Sequence, residues 1–162
     1  MLLRKSKSSD MSFLREMLYQ SVYWRAIANQ NPPPYTEALA DPQVNKALAD
    51  WRESAGDLGV VALHDSVPVG AAWYRFWTDE NNIRGYIEQS TPSLVIAVHS
   101  DFRDRGIGKQ MLEWLVEYAI TQGIEKMSLM VAKDNKAIHL YRKCGFIVHA
   151  DRGDSVLMLR EI

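Results

Sequence analysis

Residues 103 to 109 read Arg-Asp-Arg-Gly-Ile-Gly-Lys, two glycines among three cations, between the apolar run Leu94 to Val98 and an amphipathic stretch that starts at Gly106. A strand that ends in a basic, glycine-bearing turn and runs straight into a helix is a device for holding a pyrophosphate. Backbone N–H groups in the first helical turn have no intrahelical acceptor, and the helix dipole concentrates partial positive charge there. Gly106 and Gly108 let an anion approach the main chain, while Arg103, Arg105 and Lys109 add mobile cations. Spacing excludes two common phosphate sites. No Gly-x-x-x-x-Gly-Lys-Ser/Thr is present, Gln110 follows Lys109 so no hydroxyl is offered to magnesium, and no Gly-x-Gly-x-x-Gly run occurs.

The elements that must position this turn can be read from periodicity. Met1 to Arg4 suits a short first strand, and Asp10 is placed to cap a helix with Phe13, Leu14, Met17, Leu18 and Val22 on its apolar face. Pro32 to Pro34 predict an extended loop over Asn29 to Tyr35. A second helix is expected over Asp41 to Ser54, with Pro42 in its first turn. Val60 to His64 and Val69 to Trp77 read as a hairpin around Asp65-Ser66-Val67-Pro68. A third strand is expected at Arg84 to Glu88, and the unbroken apolar run at Leu94 to Val98 predicts a central strand covered on both faces. The next helix, Gly106 to Gln122, puts Ile107, Met111, Leu112, Leu115, Val116 and Ala119 on one side and ends at Gly123. A strand at Lys126 to Val131, a short helix at Asn135 to Lys143 and a β pair at Phe146 to Ala150 and Ser155 to Leu159 complete the chain. The crossover from 94 to 131 requires a parallel pair within a mixed sheet.

Composition narrows the function classes. At 162 residues the chain has the length of one domain, and 19 basic against 20 acidic residues leave a formal charge of −1. No broad basic field is available for nucleic acid or an anionic membrane. The lone Cys144 excludes an intrachain disulfide and argues against a thiolate metal cluster, so no metal and a reducing, cytoplasmic setting are expected. Residues 1 to 10 lack the apolar core of a signal peptide, and no run approaches the roughly 20 residues of a membrane span. His64, His139 and His149 have no metal-like spacing. Cys144 at a helix end reads as a small apolar residue.

Three segments in order resemble the GCN5-related N-acetyltransferase (GNAT) family. The stretch Leu94 to Lys109 is similar to its acetyl-CoA segment, built on Arg/Gln-x-x-Gly-x-Gly/Ala; Asn135-Lys136-Ala137-Ile138-His139-Leu140-Tyr141 through Gly145-Phe146 is similar to its later Asn...Ala...Leu-Tyr...Gly-Phe segment; Val69-Gly70-Ala71-Ala72 resembles the entry to its hairpin. The resemblance implies an α/β fold, a mixed and mostly antiparallel splayed sheet of about six or seven strands with about four helices. It implies one acetyltransferase domain over 1–162, with an acceptor wall in 1–60, a cofactor core in 60–131 and a catalytic, sheet-completing segment in 132–162. The cosubstrate implied is acetyl-CoA. Arg103, Asp104, Arg105, Gly106, Ile107, Gly108 and Lys109 would wrap its pyrophosphate, Ile96, Ala97 and Val98 would offer strand backbone to the pantetheine arm, and Asn135 would hydrogen-bond it. Tyr141 would be the general acid for the departing thiolate, since a phenol in an apolar site can donate that proton.

The chain departs from that pattern at Thr91-Pro92-Ser93-Leu94, where many members carry a glutamate as general base. Glu88 is then the candidate base, with His99 and His64 as alternatives. The expected activity is transfer of acetyl from acetyl-CoA to a primary amine by direct attack in a ternary complex, with a small-molecule acceptor. The alternatives are a protein or peptide N-acetyltransferase and a non-catalytic acyl-CoA-binding module of the same fold. Tyr23, Trp24, Tyr35, Trp51, Trp73, Tyr74, Phe76 and Trp77 supply aromatic material for an acceptor pocket, with specificity expected in Trp24 to Tyr35. A homodimer is compatible with the resemblance.

Overall fold

A computed structural model describes residues 1–51 and 55–162. Seven strands form one sheet in the order β1-β2-β3-β4-β5-β7-β6: β1 (Leu2–Lys5), β2 (Leu58–His64), β3 (Val67–Arg75), β4 (Ser93–Val98), β5 (Lys126–Ala132), β6 (Ile147–Asp151) and β7 (Ser155–Glu161). All neighbours are antiparallel except β4 and β5, the parallel pair that the crossover required. Six α-helices lie among the described residues: α1 (Met11–Val22), α2 (Trp24–Ala28), α3 (Tyr35–Ala40), α4 (Pro42–Asn45), α5 (Ile107–Thr121) and α6 (Ala137–Lys143).

Strand alternation splits the core in two. Leu94, Ile96 and Val98 of β4 point to a face covered by α5 and α6, together with Met127, Leu129 and Val131 of β5. Val95 and Ala97 point the other way, to Leu14, Met17 and Leu18 of α1, with Val44, Leu48 and Trp73. From Leu94 to Val98 the central strand is therefore apolar because both faces are roofed. All six apolar positions assigned to the long helix are buried in α5. At α1 the apolar stripe fades at its end, where Val22 is exposed.

Several local expectations need correction, and each has a physical cause. Residues 41–51 do not form one helix. After α4 the chain tightens into turns, and Asp50 takes a left-handed φ of 52°. The cause is Arg75, a buried guanidinium whose Nη1 donates to the carbonyls of Ala47 (3.2 Å) and Ala49 (2.7 Å), and whose Nη2 donates to that of Asp50 (3.2 Å). Its Nε is paired with buried Asp57 at 2.8 Å. Residues 52–54 of that expected helix lie outside the described residues.

The strand expected at Arg84 to Glu88 is absent; turns close there through Tyr86 N–H to Ile83 C=O and Thr91 N–H to Glu88 C=O. Gly85 offers its carbonyl to a side chain, Ser128 Oγ, rather than to a ladder. The hairpin turn is shorter than expected. Asp65 and Ser66 both adopt left-handed φ, 49° and 68°, as a two-residue turn requires, and Pro68 joins β3 opposite Leu63 at a register shift. Asp10 precedes α1 but does not cap it, because its carboxylate turns back to Lys7 N–H (2.7 Å) and to Arg4. The Pro32–Pro34 loop is observed, yet Pro34 immediately starts α3.

Candidate active site

Past one residue pair, β4 and β5 part. Ser93 and Ser128 are their sole paired position, whereas β4 is paired with β3 over all six of its residues. The result is a slot that is closed at the start of the two strands and opens toward their C-terminal ends. At the closed floor, Ser93 Oγ lies 3.0 Å from Ser128 Oγ, and Ser128 Oγ donates to Gly85 C=O at 2.6 Å.

The basic glycine turn sits at the open end, where the sequence placed it. Gly106 has a left-handed φ of 77°, and nothing lies within 4 Å of where a Cβ would stand, so the space in front of the turn is open. It precedes α5 with no side-chain cap, leaving the N–H groups of Ile107, Gly108 and Lys109 directed outward without intrahelical acceptors. Gly108 has a different role. A Cβ there would stand 3.2 Å from Leu140 Cδ2, 3.8 Å from Ile96 Cδ1 and 3.9 Å from Val98 Cγ2, so the bare backbone lets β4, α5 and α6 converge. An uncapped 15-residue helix behind an open, cationic turn fits a pyrophosphate, and the parted strand edges fit an extended arm beneath it.

The cations are exposed but not idle. Arg103 donates from Nε to Val98 C=O (3.0 Å) and reaches Gln20 Oε1 of α1 at 3.5 Å. Arg105 lies over the Phe102 ring at 5.1 Å, and Lys109 pairs with Glu113 at 3.4 Å. Asp104 holds a left-handed φ of 59° within the turn.

Tyr141 projects from α6 into the core shared with α5, edge-on to Phe146 at 6.1 Å between ring centroids. Burial pushes its phenol pKa upward, and Cys144 nearby acts in the same direction. Among the described residues its hydroxyl has no hydrogen-bond partner. Asn135 Oδ1 accepts Ala137 N–H at 2.9 Å in the turn that leads into α6, which leaves its Nδ2 as the donor available to a ligand.

Glu88 is not gathered with these groups. It is exposed beside the closed floor, accepting from Thr91 Oγ1 (2.9 Å) and facing Lys126 Nζ (3.5 Å), and those partners hold its pKa below the usual carboxylate value. His99 follows β4 with a buried Nδ1 that makes no hydrogen bond among the described residues and lies 3.9 Å from Asp101 Oδ2, its ring edge-on to Phe102. His64 also packs on Phe102, with ring centroids 5.4 Å apart. A cleft of about 280 Å³ between α1 and the 39–51 segment, lined by Arg15, Asn45 and Trp51 among others, shares no residue with the turn or with α6. Sequence reasoning missed the serine floor and the Arg75–Asp57 pair. For the pair a signal existed: an arginine flanked by Trp73 and Trp77 in an apolar run calls for a buried partner.

Comparison with known proteins agrees with this geometry. The family model described as "Acetyltransferase (GNAT) family" matches residues 24–146. The L-methionine sulfoximine/L-methionine sulfone acetyltransferase of Pseudomonas aeruginosa is 35% identical over 128 residues, 78% of this chain and 71% of that protein. The L-amino acid N-acyltransferase MnaT of Escherichia coli is 24% identical over 93% of this chain and 81% of its own length. Among solved structures, the PaiA N-acetyltransferase of Thermoplasma acidophilum in complex with coenzyme A superposes with a TM-score of 0.74 at 20% identity, covering 99% of this chain and 98% of that one. YncA of Salmonella typhimurium, solved with acetyl-CoA, gives 0.71 at 22% identity over 99% and 93%. The splayed parallel pair, the uncapped helix behind a glycine turn and the matched sequence all lead to one assignment: the chain belongs to the GNAT family of acetyl-CoA-dependent N-acetyltransferases.

Proposed function

We propose that the enzyme acetylates the primary amine of a small molecule by direct attack within a ternary complex. The observation that carries this reading is the slot itself, which opens between β4 and β5 toward an uncapped helix N-terminus, with the Tyr141 phenol of α6 in the core that both strands share. Two relatives named for amino-acid-type acceptors support a small-molecule acceptor.

When bound, acetyl-CoA supplies an acetyl group activated as a thioester. In this reading the N–H groups of residues 107 to 109 and the cations Arg103, Arg105 and Lys109 bind its pyrophosphate. Backbone of Ile96, Ala97 and Val98 lies along the pantetheine arm, and Asn135 Nδ2 donates to it. Tyr141 holds a proton for the sulfur. Its raised pKa keeps the phenol protonated at working pH, and the same apolar surroundings raise the proton affinity of a thiolate formed beside it. Glu88 is a weak base here, since its lowered pKa reflects a carboxylate already satisfied by Thr91 and Lys126. In this reading the incoming ammonium group loses its proton to water rather than to Glu88, and His99 and His64 are the other side chains that could take it.

Thiol release from acetyl-CoA, measured against a panel of small amines including L-methionine sulfoximine and against a lysine-containing peptide, tests the reading. Release that depends on a small amine supports it. Release with the peptide alone, or none with any acceptor despite cofactor binding, would replace it with one of the other two functions.

A further inference from the structure

The two lips of the open slot are joined by an ion pair 109 residues apart in sequence. Arg25 Nη2 of α2 lies 2.7 Å from Asp134 Oδ1, and Asp134 follows β5 by two residues. The other lip is tied as well, because Gln20 near the end of α1 meets Arg103, whose Nε is bound to the last carbonyl of β4. Helix α1 lies on β4, the chain bends at Tyr23, and α2 carries Arg25 across to the end of β5. Since β4 and β5 have already diverged from their single pair at Ser93 and Ser128, anything joining their far ends must cross the gap. The α1–α2 corner makes that crossing.

We infer that the Arg25–Asp134 pair is a strap over the open end of the slot and slows departure of acetyl-CoA; this rests on the reading above that the slot holds the cofactor. The strap is built to open. Its side chains are 52% and 64% exposed, so the attraction is screened by water and salt and is weak and reversible. Its geometry is nevertheless prepared, for the Arg25 guanidinium lies over the Trp24 ring at 5.0 Å, which limits the orientations it samples when Asp134 is released. Neither residue is placed against the reacting atoms. They are positioning residues, acting through the α1–α2 corner on how long the arm stays in the slot.

Release of a fluorescent coenzyme A analogue, displaced by excess acetyl-CoA in a stopped-flow experiment on the full chain, reads this directly. Arg25→Gln and Asp134→Asn should each speed release about threefold to fivefold at low salt, the range open to an exposed ion pair. The double variant should go no faster than either single one, because only one interaction is removed. Exchanging the charges, Arg25→Asp with Asp134→Arg, should bring release back toward the wild-type rate. Raising salt to about 0.5 M should speed the wild type by a larger factor than the variants, in which only the screening of the pyrophosphate contacts remains. Equal release rates in all proteins, additive single effects, or a charge exchange as fast as the double variant would overturn the strap while leaving the acetyltransferase reading intact. Failure of the wild type to bind the analogue at all would overturn both.

Discussion

Ser93 and Ser128 face each other across the one position at which β4 and β5 are paired, and Ser128 donates its proton to the carbonyl of Gly85, 43 residues away. Both serines are buried. With Ser128 committed to Gly85, Ser93 becomes the donor to Ser128, and the chain of hydroxyls ends on a peptide carbonyl that cannot carry a proton away. The arrangement is a pin rather than a relay. It closes the slot at its base and fastens the irregular 84–88 segment over β5.

Ser128→Ala should therefore weaken the fold rather than the chemistry. It removes one donor and leaves the Gly85 carbonyl and the Ser93 hydroxyl without their partner in a dry site, a loss of about 1–3 kcal/mol. Urea unfolding would show it as a lower midpoint with an unchanged slope. A variant as stable as the wild type would mean that water replaces the hydroxyl.

Gly106 is the position where the cofactor reading is most exposed to refutation. Gly106→Glu puts a carboxylate into the open space before the helix N-terminus and should abolish coenzyme A binding, measured by calorimetry on a protein whose circular dichroism is unchanged. Gly106→Ala isolates the backbone cost. It requires an L residue at φ 77° and should lower stability by about 1–2 kcal/mol with a smaller effect on affinity. Undiminished coenzyme A affinity in a folded Gly106→Glu variant would remove the turn from the cofactor site.

These residues also show what could be read from the chain before folding. The turn at 103–109 and helix α5 are legible because their information is local: glycine and cation spacing for one, a 3.6-residue apolar period for the other, with all six chosen positions buried. Arg84 to Glu88 looks locally like a strand, yet its Gly85 carbonyl is taken by the Ser128 side chain on β5 while Tyr86 N–H turns back to Ile83. Residues 46–50 likewise look helical until their carbonyls are claimed by Arg75 from β3. Where a distant side chain outcompetes the local ladder for backbone hydrogen bonds, no window of sequence carries the outcome. The same holds for Glu88, a plausible base by type whose role depends on finding Thr91 and Lys126 beside it.

Tyr141→Phe removes the phenolic proton and keeps the ring against Phe146. Turnover should fall by about a hundredfold or more, the usual contribution of a positioned acid, with coenzyme A affinity unchanged. Glu88→Gln should leave the rising limb of the pH–rate profile where it is, because that limb follows the acceptor's own ammonium group. A limb displaced in Glu88→Gln would restore Glu88 as the base, and Tyr141→Phe at full turnover would leave the thiolate to take its proton from water.

Alkaline pH should unfold the protein through its buried phenols. Tyr74 is almost fully buried, and burial, with Tyr118 and Asp57 adding to it, pushes its pKa up to about 12. An unfolded tyrosine titrates near about 10. Between those values the unfolded chain has lost the proton and the native protein still holds it, so the unfolded state binds fewer protons and stability falls as pH rises. Below about pH 10 this contribution is fully present; by about pH 12 Tyr74 alone should have cost roughly 2 kcal/mol, and Tyr141, shifted in the same direction, adds to the slope. Urea unfolding at intervals from pH 9 to about 11.5 should trace a descent that Tyr74→Phe makes shallower. Identical slopes in the two proteins would mean that the native structure opens around Tyr74 before its phenol ionises.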